Sequence, residues 1–314
     1  MPSPLRGLHH VTAISGPAQA NVDAYAGSLG LRLVKQTVNF DDPGTYHLYY
    51  ADGDAEPGSV LTFFPWSADA LRGRIGAGQA TATAYAVAPG ALSQWIDRLA
   101  EDEHFQMGVP HSRFGDNVLT LRDADGLVID LVETSAASGA WAEGPVPEAM
   151  ALGAFHSVTL CSHDPDATLR VLTEAYGYQE YGQDGGRLRL VNPDAERAEF
   201  VDVYCAPGQE RGRMGVGTVH HVAFRAPDDE AELEVREMLL SMGLQPTPQI
   251  DRQYFHSVYT REPGGILFEI ATDPPGFAID EPAGALGREL RLPPQYQPQR
   301  AQIEDRLAPL ALPY

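Results

Sequence analysis

Cysteine, lysine and positive charge are all scarce in this chain of 314 residues. Its two cysteines, Cys161 and Cys205, are too few for a disulfide framework. Each is expected as a buried small hydrophobe in a strand, and the default compartment is the cytoplasm. Lys35 is the sole lysine; the other basic side chains are arginines, a compositional bias without functional content. The formal net charge is −21, spread along the chain. A surface of that sign repels phosphate backbones and anionic headgroups, which excludes nucleic acid and membranes as partners. No run of 18 apolar residues exists, so no transmembrane helix is expected. The opening Met1-Pro2-Ser3-Pro4-Leu5-Arg6 meets a strand signal at once and leaves no room for a signal peptide. With 43% hydrophobic residues, the length suffices for two domains or one large core.

Four segments share one pattern: a strand, a helix-like stretch, then short strands. The first opens at Leu8-His9-His10-Val11-Thr12-Ala13-Ile14, with a helix over 18–29 and strands over 31–39, 45–50 and 60–64. The second has a strand over 81–87, a helix over 91–99 and strands over 117–122 and 127–132. The third runs from a strand over 154–160 through a helix over 165–175 to strands over 187–191 and 199–204. The fourth starts at His220, has a helix over 230–242, and ends in strands over 257–260 and 266–271. Leucine and alanine at helical spacing follow the near-twin starts Pro89-Gly90 and Pro227-Asp228. Asp125-Gly126 and Gly264-Gly265 mark hairpin turns. The expected fold is α+β: four βαβββ modules arranged as two paired-module domains, whose curved mixed sheets form metal-site clefts. The expected boundaries are 1–137 for one pair of modules, 138–153 for a Gly/Ala/Pro-rich linker, 154–280 for the other pair, and 281–314 for a tail packing on the body.

Two strand openings carry a histidine pair, His9-His10 and His220-His221, and Glu269 interrupts the apolar run Ile266-Leu267-Phe268-Glu269-Ile270. A lone strand histidine is usually a satisfied core residue. A carboxylate among large apolar residues is harder to dismiss, because an unpaired buried charge costs several kcal/mol. A divalent cation would compensate it, and so would Arg225 or Arg252. Strand parity selects His10, His221 and Glu269 for the concave face and places His9 and His220 behind it. Aligning the repeats puts Thr83 at the position of His221, Asp130 at that of Glu269, and His156 at that of His10. The middle two units are thus expected to hold a degenerate half-site, one nitrogen ligand short.

The whole chain resembles the vicinal oxygen chelate superfamily (glyoxalase, bleomycin resistance and dioxygenase proteins), and within it the two-domain ring-cleaving hydroquinone dioxygenases. The stretches carrying the resemblance include Leu8-His9-His10-Val11-Thr12, Tyr46-His47-Leu48-Tyr49-Tyr50, Thr218-Val219-His220-His221-Val222, and Asp251-Arg252-Gln253-Tyr254-Phe255 through to Glu269. The resemblance implies an Fe(II) site, with Mn(II) as the other ion considered, held by His10, His221 and Glu269. It places the surrounding catalytic positions at His9, Thr12, His220, Arg252 and Tyr259. Two imidazoles and one carboxylate on one face of the ion leave three positions for an aromatic diol and O2. Tyr259 and a histidine are expected to handle the phenolic proton, and Arg252 to stabilise charge on oxygen. His47 and His256 either line the cavity or cap strands; His104, His111 and His163 read as loop residues. A homo-oligomer is left open. The competing readings are a glyoxalase-type isomerase or hydrolase, and a non-catalytic binding protein of the same fold. The isomerase class closes its metal sphere with a second carboxylate, and Phe63 is expected at that position.

Overall fold

The structure, a computed structural model, describes residues 3–135, 137, 139–206 and 208–314. Ser138, where the expected linker begins, lies outside the described residues, as do Met1 and Pro2. The first unit consists of β1 (Leu8–Ser15), α1 (Ala18–Val22) continued as a π-turn over Asp23–Ser28, β2 (Arg32–Asn39), β3 (Asp42–Ala51) and β4 (Val60–Pro65). The second has β5 (Gln79–Val87), α2 (Ala91–Leu99), β6 (Phe105–Met107), β7 (His111–Arg113), β8 (Asp116–Asp123) and β9 (Val128–Glu133). The third has β10 (Phe155–Cys161), α3 (Pro165–Arg170) with a π-turn over Val171–Ala175, β11 (Gln179–Asp184), β12 (Arg187–Val191) and β13 (Phe200–Val203). The fourth has β14 (Thr218–Ala226), α4 (Asp229–Ser241), β15 (Ile250–Asp251), β16 (Phe255–Arg261) and β17 (Leu267–Pro275).

The units pair outer with outer and inner with inner. One sheet has the order β15-β16-β17-β14-β1-β4-β3-β2; the other has β11-β12-β13-β10-β5-β9-β8-β6, with β7 on β8. Each sheet therefore draws one unit from residues 1–137 and one from residues 154–280. The seams are the antiparallel pairs β1/β14 and β5/β10. Helix starts have local causes. Asp228 and Asp164 accept hydrogen bonds from Ala231 N and Ala167 N, capping α4 and α3. Gly90 begins α2 at φ 84°, and the distant Glu133 carboxylate accepts from Gly90 N and Leu92 N. One apolar cluster runs through both sheets and the helices, from Tyr25 and Trp95 to Leu172, Phe224 and Val235. Its continuity fixes the helix-bearing side of each sheet and leaves the other side for a cleft.

Two expectations are corrected by the strand register. Cys161 and Cys205 form a disulfide, with Cα atoms 4.8 Å apart. They follow parallel partners, Leu160 beside Val203, so the chain ends of β10 and β13 bring them together. The cysteine argument for a reducing compartment thereby loses its premise. His111, expected in a loop, opens the short strand β7 and is exposed. No helix among the described residues is long and apolar enough to cross a membrane.

The tail anchors on the first unit. Buried Lys35 ion-pairs with Asp280 at 2.6 Å and with Glu281. Tyr46 donates to the Ala308 carbonyl at 2.9 Å, Leu33 N donates to the Tyr314 hydroxyl at 3.0 Å, and Tyr296 donates to the Phe40 carbonyl at 2.6 Å.

Candidate metal centre

His10 on β1, His221 on β14 and Glu269 on β17 occupy three neighbouring central strands of the outer-unit sheet. Their donor atoms converge. His10 Nε2 lies 3.3 Å from His221 Nε2 and 3.3 Å from Glu269 Oε2, and His221 Nε2 lies 2.8 Å from the same oxygen. Among the described residues this is the only group of three such side chains close enough to hold a metal ion. Ligands about 2.1 Å from an ion and at right angles to each other lie about 3.0 Å apart, so the spacing fits three cis positions of an octahedron. Glu269 is fully buried, and its Oε2 finds no well-aligned hydrogen bond despite those two close nitrogens. Its Oε1 accepts from Ser257 Oγ at 2.5 Å. Burial by itself would raise the Glu269 carboxyl, but the facing imidazoles hold it well below the usual carboxylate range. A buried carboxylate oxygen aimed at two ring nitrogens suits a cation between them.

Both histidine pairs sit on β-bulges, and this changes what parity predicts. On β1, Leu8 pairs with Phe224 and His10 with Ala223, so His9 is the extra residue. On β14, Thr12 pairs with His221 and Ala13 with Val219, so His220 is the extra one. Leu8 and Val11 both reach the apolar core, as do Val219 and Val222. Two adjacent histidines are therefore left off the core face in each case. His9 Nδ1 lies 2.9 Å from His10 Nδ1, and His220 Nδ1 lies 2.8 Å from His221 Nδ1. A protonated Nδ1 on His10 donates to His9 and frees Nε2 for a cation; His221 and His220 repeat the arrangement. Burial first, then the adjacent imidazole, lowers the pKa of His9 well below its ordinary value and that of His220 to about 3. Burial also lowers His221, against the pull of Glu269. Burial thus favours the neutral form of His9, His220 and His221, as ligands and acceptors require.

His10 and His221 line a cavity of about 380 Å3, and the buried Glu269 carboxylate lies against both rings. His220, Arg252 and Tyr259 line it, whereas His9 lies one ring behind His10, against Phe255. Thr12 is buried below the cavity and shares a 2.8 Å hydrogen bond with Thr62. Arg252 Nε donates to the Tyr259 hydroxyl at 3.3 Å. Burial, then Glu269, raises the Tyr259 phenol, which keeps it a proton donor at neutral pH. His47 joins the cavity, with Nε2 2.8 Å from Thr62 Oγ1 and Nδ1 2.9 Å from the Tyr49 hydroxyl. His256 does not: it pairs with Asp229 at 2.6 Å outside. Tyr49, Ser257 and Thr62 were not singled out from sequence. The rest of the lining is largely apolar, including Ile14, Phe64, Trp66 and Leu267.

The register also corrects the repeat alignment. Ala84 pairs with Asp130 as Ala223 pairs with Glu269, so Asp130 keeps its assigned equivalence. Across the seams, however, Ala82 matches His221 and Thr83 matches Val222. His156 matches His9, and Ser157 matches His10. The inner pair lacks both nitrogen ligands. The pseudo-symmetry of β1/β4 and β14/β17 likewise puts Thr62, and not Phe63, opposite Glu269; Thr12 pairs with Thr62 as Ala223 pairs with Glu269.

Fold and centre together define a vicinal oxygen chelate protein. Residues 7–131 match the model of the Glyoxalase/Bleomycin resistance protein/Dioxygenase superfamily. The chain belongs to that superfamily, and within it to the two-domain ring-cleaving dioxygenase family that includes hydroquinone dioxygenases. It is 46% identical to the Bacillus subtilis (strain 168) protein named "Putative ring-cleaving dioxygenase MhqO", over 96% of each chain. It is 33% identical to the "Chlorohydroquinone/hydroquinone 1,2-dioxygenase" of Sphingobium indicum, over 95% of this chain and 94% of that one. The crystal structure of a "putative dioxygenase" from Bacillus subtilis subsp. subtilis str. 168 superimposes with a TM-score of 0.93 at 44% identity, covering 98% of both chains.

Proposed function

We propose that the protein is an Fe(II)-dependent dioxygenase that cleaves the ring of a hydroquinone-type diol. The observation that carries this reading is the convergence of His10 Nε2, His221 Nε2 and Glu269 Oε2 at the wall of a cavity lined by aromatic and aliphatic side chains. Thr62 in place of a second carboxylate supports it, since coordination positions then remain for diol and O2. A ferrous ion held there supplies the redox chemistry and the point at which both substrates meet. The chain's own groups bind and orient. Phe64, Trp66 and Leu267 exclude water around the ring. The Tyr259 hydroxyl, kept protonated and fixed by Arg252, donates to a substrate oxygen, and the Arg252 guanidinium stabilises negative charge there. His9 and His220 fix the orientation of the two ligating rings. No titratable carboxylate among the lining residues other than Asp41 competes for the phenolic proton.

Metal analysis followed by oxygen uptake tests this. The protein reconstituted anaerobically with Fe(II) should bind about one ion per chain. It should then consume O2 on addition of hydroquinone, with a ring-opened product absorbing in the near ultraviolet. Iron-replete protein that consumes no O2 with any of several diphenols would favour the isomerase or binding-protein reading.

A further inference from the structure

A second cavity, of about 640 Å3, shares one side chain with the metal-centre cavity: Phe40 lines both. Phe40 sits in the β2–β3 turn, and the β15–β16 turn faces it. Along that second turn, Arg252 points into the metal-centre cavity while its neighbours Asp251 and Gln253 line the other one. The turns meet where Arg252 Nη1 approaches Asp41 Oδ2 at 3.7 Å. On the far side the second cavity is lined by Ile279 and the tail residue Pro294, both exposed, and opens to solvent. Phe40 is held from the tail as well, through Tyr296 and its backbone carbonyl. Phe40 is thus the residue that the metal-centre cavity and the second, open cavity have in common.

We infer that Phe40 is a specificity-determining partition: its ring bars a long ring substituent from the cavity behind it, which would hold such a chain once the ring is removed. This rests on the reading of the centre as a diol site. The lining sets the class of substituent. Ile279 and Pro294 offer apolar contact, while Asp251 disfavours an anion. An alkyl or hydroxyalkyl chain fits; a carboxylate or sulfonate does not. In the native protein the ring of Phe40 separates the cavities, so the enzyme discriminates against such chains. Removing the ring joins them.

Binding without turnover reads this directly. Hydroquinone and 2-hexylhydroquinone are titrated under argon into the protein supplied with one equivalent of Fe(II), followed by the fluorescence of Trp66, which lines the cavity. Phe40→Ala should tighten 2-hexylhydroquinone at least tenfold, the gain expected from burying about two methylenes. Hydroquinone should stay within about threefold. Adding Ile279→Glu to Phe40→Ala should remove the gain, which places the chain in the second cavity. Equal changes for both ligands, no gain for the longer one, or a gain that survives Ile279→Glu would each overturn the assignment. The dioxygenase reading fails separately, by absence of O2 uptake across the same series; the argon titration does not depend on it.

Discussion

The two sheets are built on one plan and surround their central carboxylates differently. In the outer-unit sheet, Glu269 meets two imidazoles beside a cavity. In the inner-unit sheet its counterpart Asp130 accepts from Arg113 Nη1 at 2.7 Å and Thr120 Oγ1 at 2.6 Å. Asp202, at the position of Thr62, takes Arg189 in a bidentate pair at 2.7 and 3.0 Å, with Arg187 at 3.3 Å. Phe114 and Phe200 cover the Arg189 guanidinium. A buried carboxylate needs a positive partner in either sheet. A guanidinium supplies it permanently from within the chain and fills the space; two imidazoles can share the carboxylate with an ion and leave room for ligands. That difference separates a structural core from a candidate metal site.

The largest test of this contrast exchanges ligands. His221→Ala should weaken Fe(II) at least about 100-fold, since loss of orienting partners by itself costs 10–100-fold. His156→Ala, at the counterpart of His9, should leave bound iron within about twofold. Metal analysis after dialysis against a graded chelator compares them, and equal losses would erase the distinction between the sheets. Thr62→Glu sharpens it from the other side, by giving the outer sheet the second carboxylate that Asp202 represents in the inner one. Iron should be retained or tightened while O2 uptake with hydroquinone falls at least about tenfold, because a protein oxygen takes a position substrate needs. Smaller still, Arg189→Met should cost about 3 kcal/mol in urea unfolding by leaving Asp202 with only Arg187, and Arg189→Met with Asp202→Leu should recover most of it. Neither change should alter iron content.

Much of this contrast was legible in the sequence. The four-unit repeat followed from helix starts such as Pro227-Asp228 and from hairpin turns, because those signals are local. His10, His221 and Glu269 stood out because a polar residue in an apolar strand needs a reason. The bulges were less visible, though their mark is present: Leu8-His9-His10-Val11 and Val219-His220-His221-Val222 space core residues three apart where a regular strand allows two. Asp130 lies 48 residues after Ala82, as Glu269 does after His221, whereas it lies 47 after Thr83. That single-residue discrepancy lies in the connection from strand to helix, which is one residue longer from Val87 to Ala91 than from Ala226 to Asp229. The arginine partners of Asp130 and Asp202, the disulfide and the role of His47 depend on which strands become neighbours. These contacts join residues 13 to 44 positions apart on different strands, and such pairing leaves no local trace.

The smallest expected effect concerns pH. Burial, with Arg189 next, lowers His156 to about 3 from an ordinary 6.5; it sits on the β10 bulge that corresponds to that of His9 on β1. The folded protein therefore keeps this ring neutral where the unfolded chain takes up a proton. The stability tied to His156 is complete above pH 6.5 and declines as pH falls below it, by about 1–2 kcal/mol at pH 5. His156→Gln keeps a neutral polar side chain and should flatten that part of the curve. Urea midpoints at pH 7.5 and 5 compare the variant with the native protein. An unchanged slope would mean that the guanidinium groups around this ring do not exclude its charged form, and that the inner sheet tolerates a proton at this position.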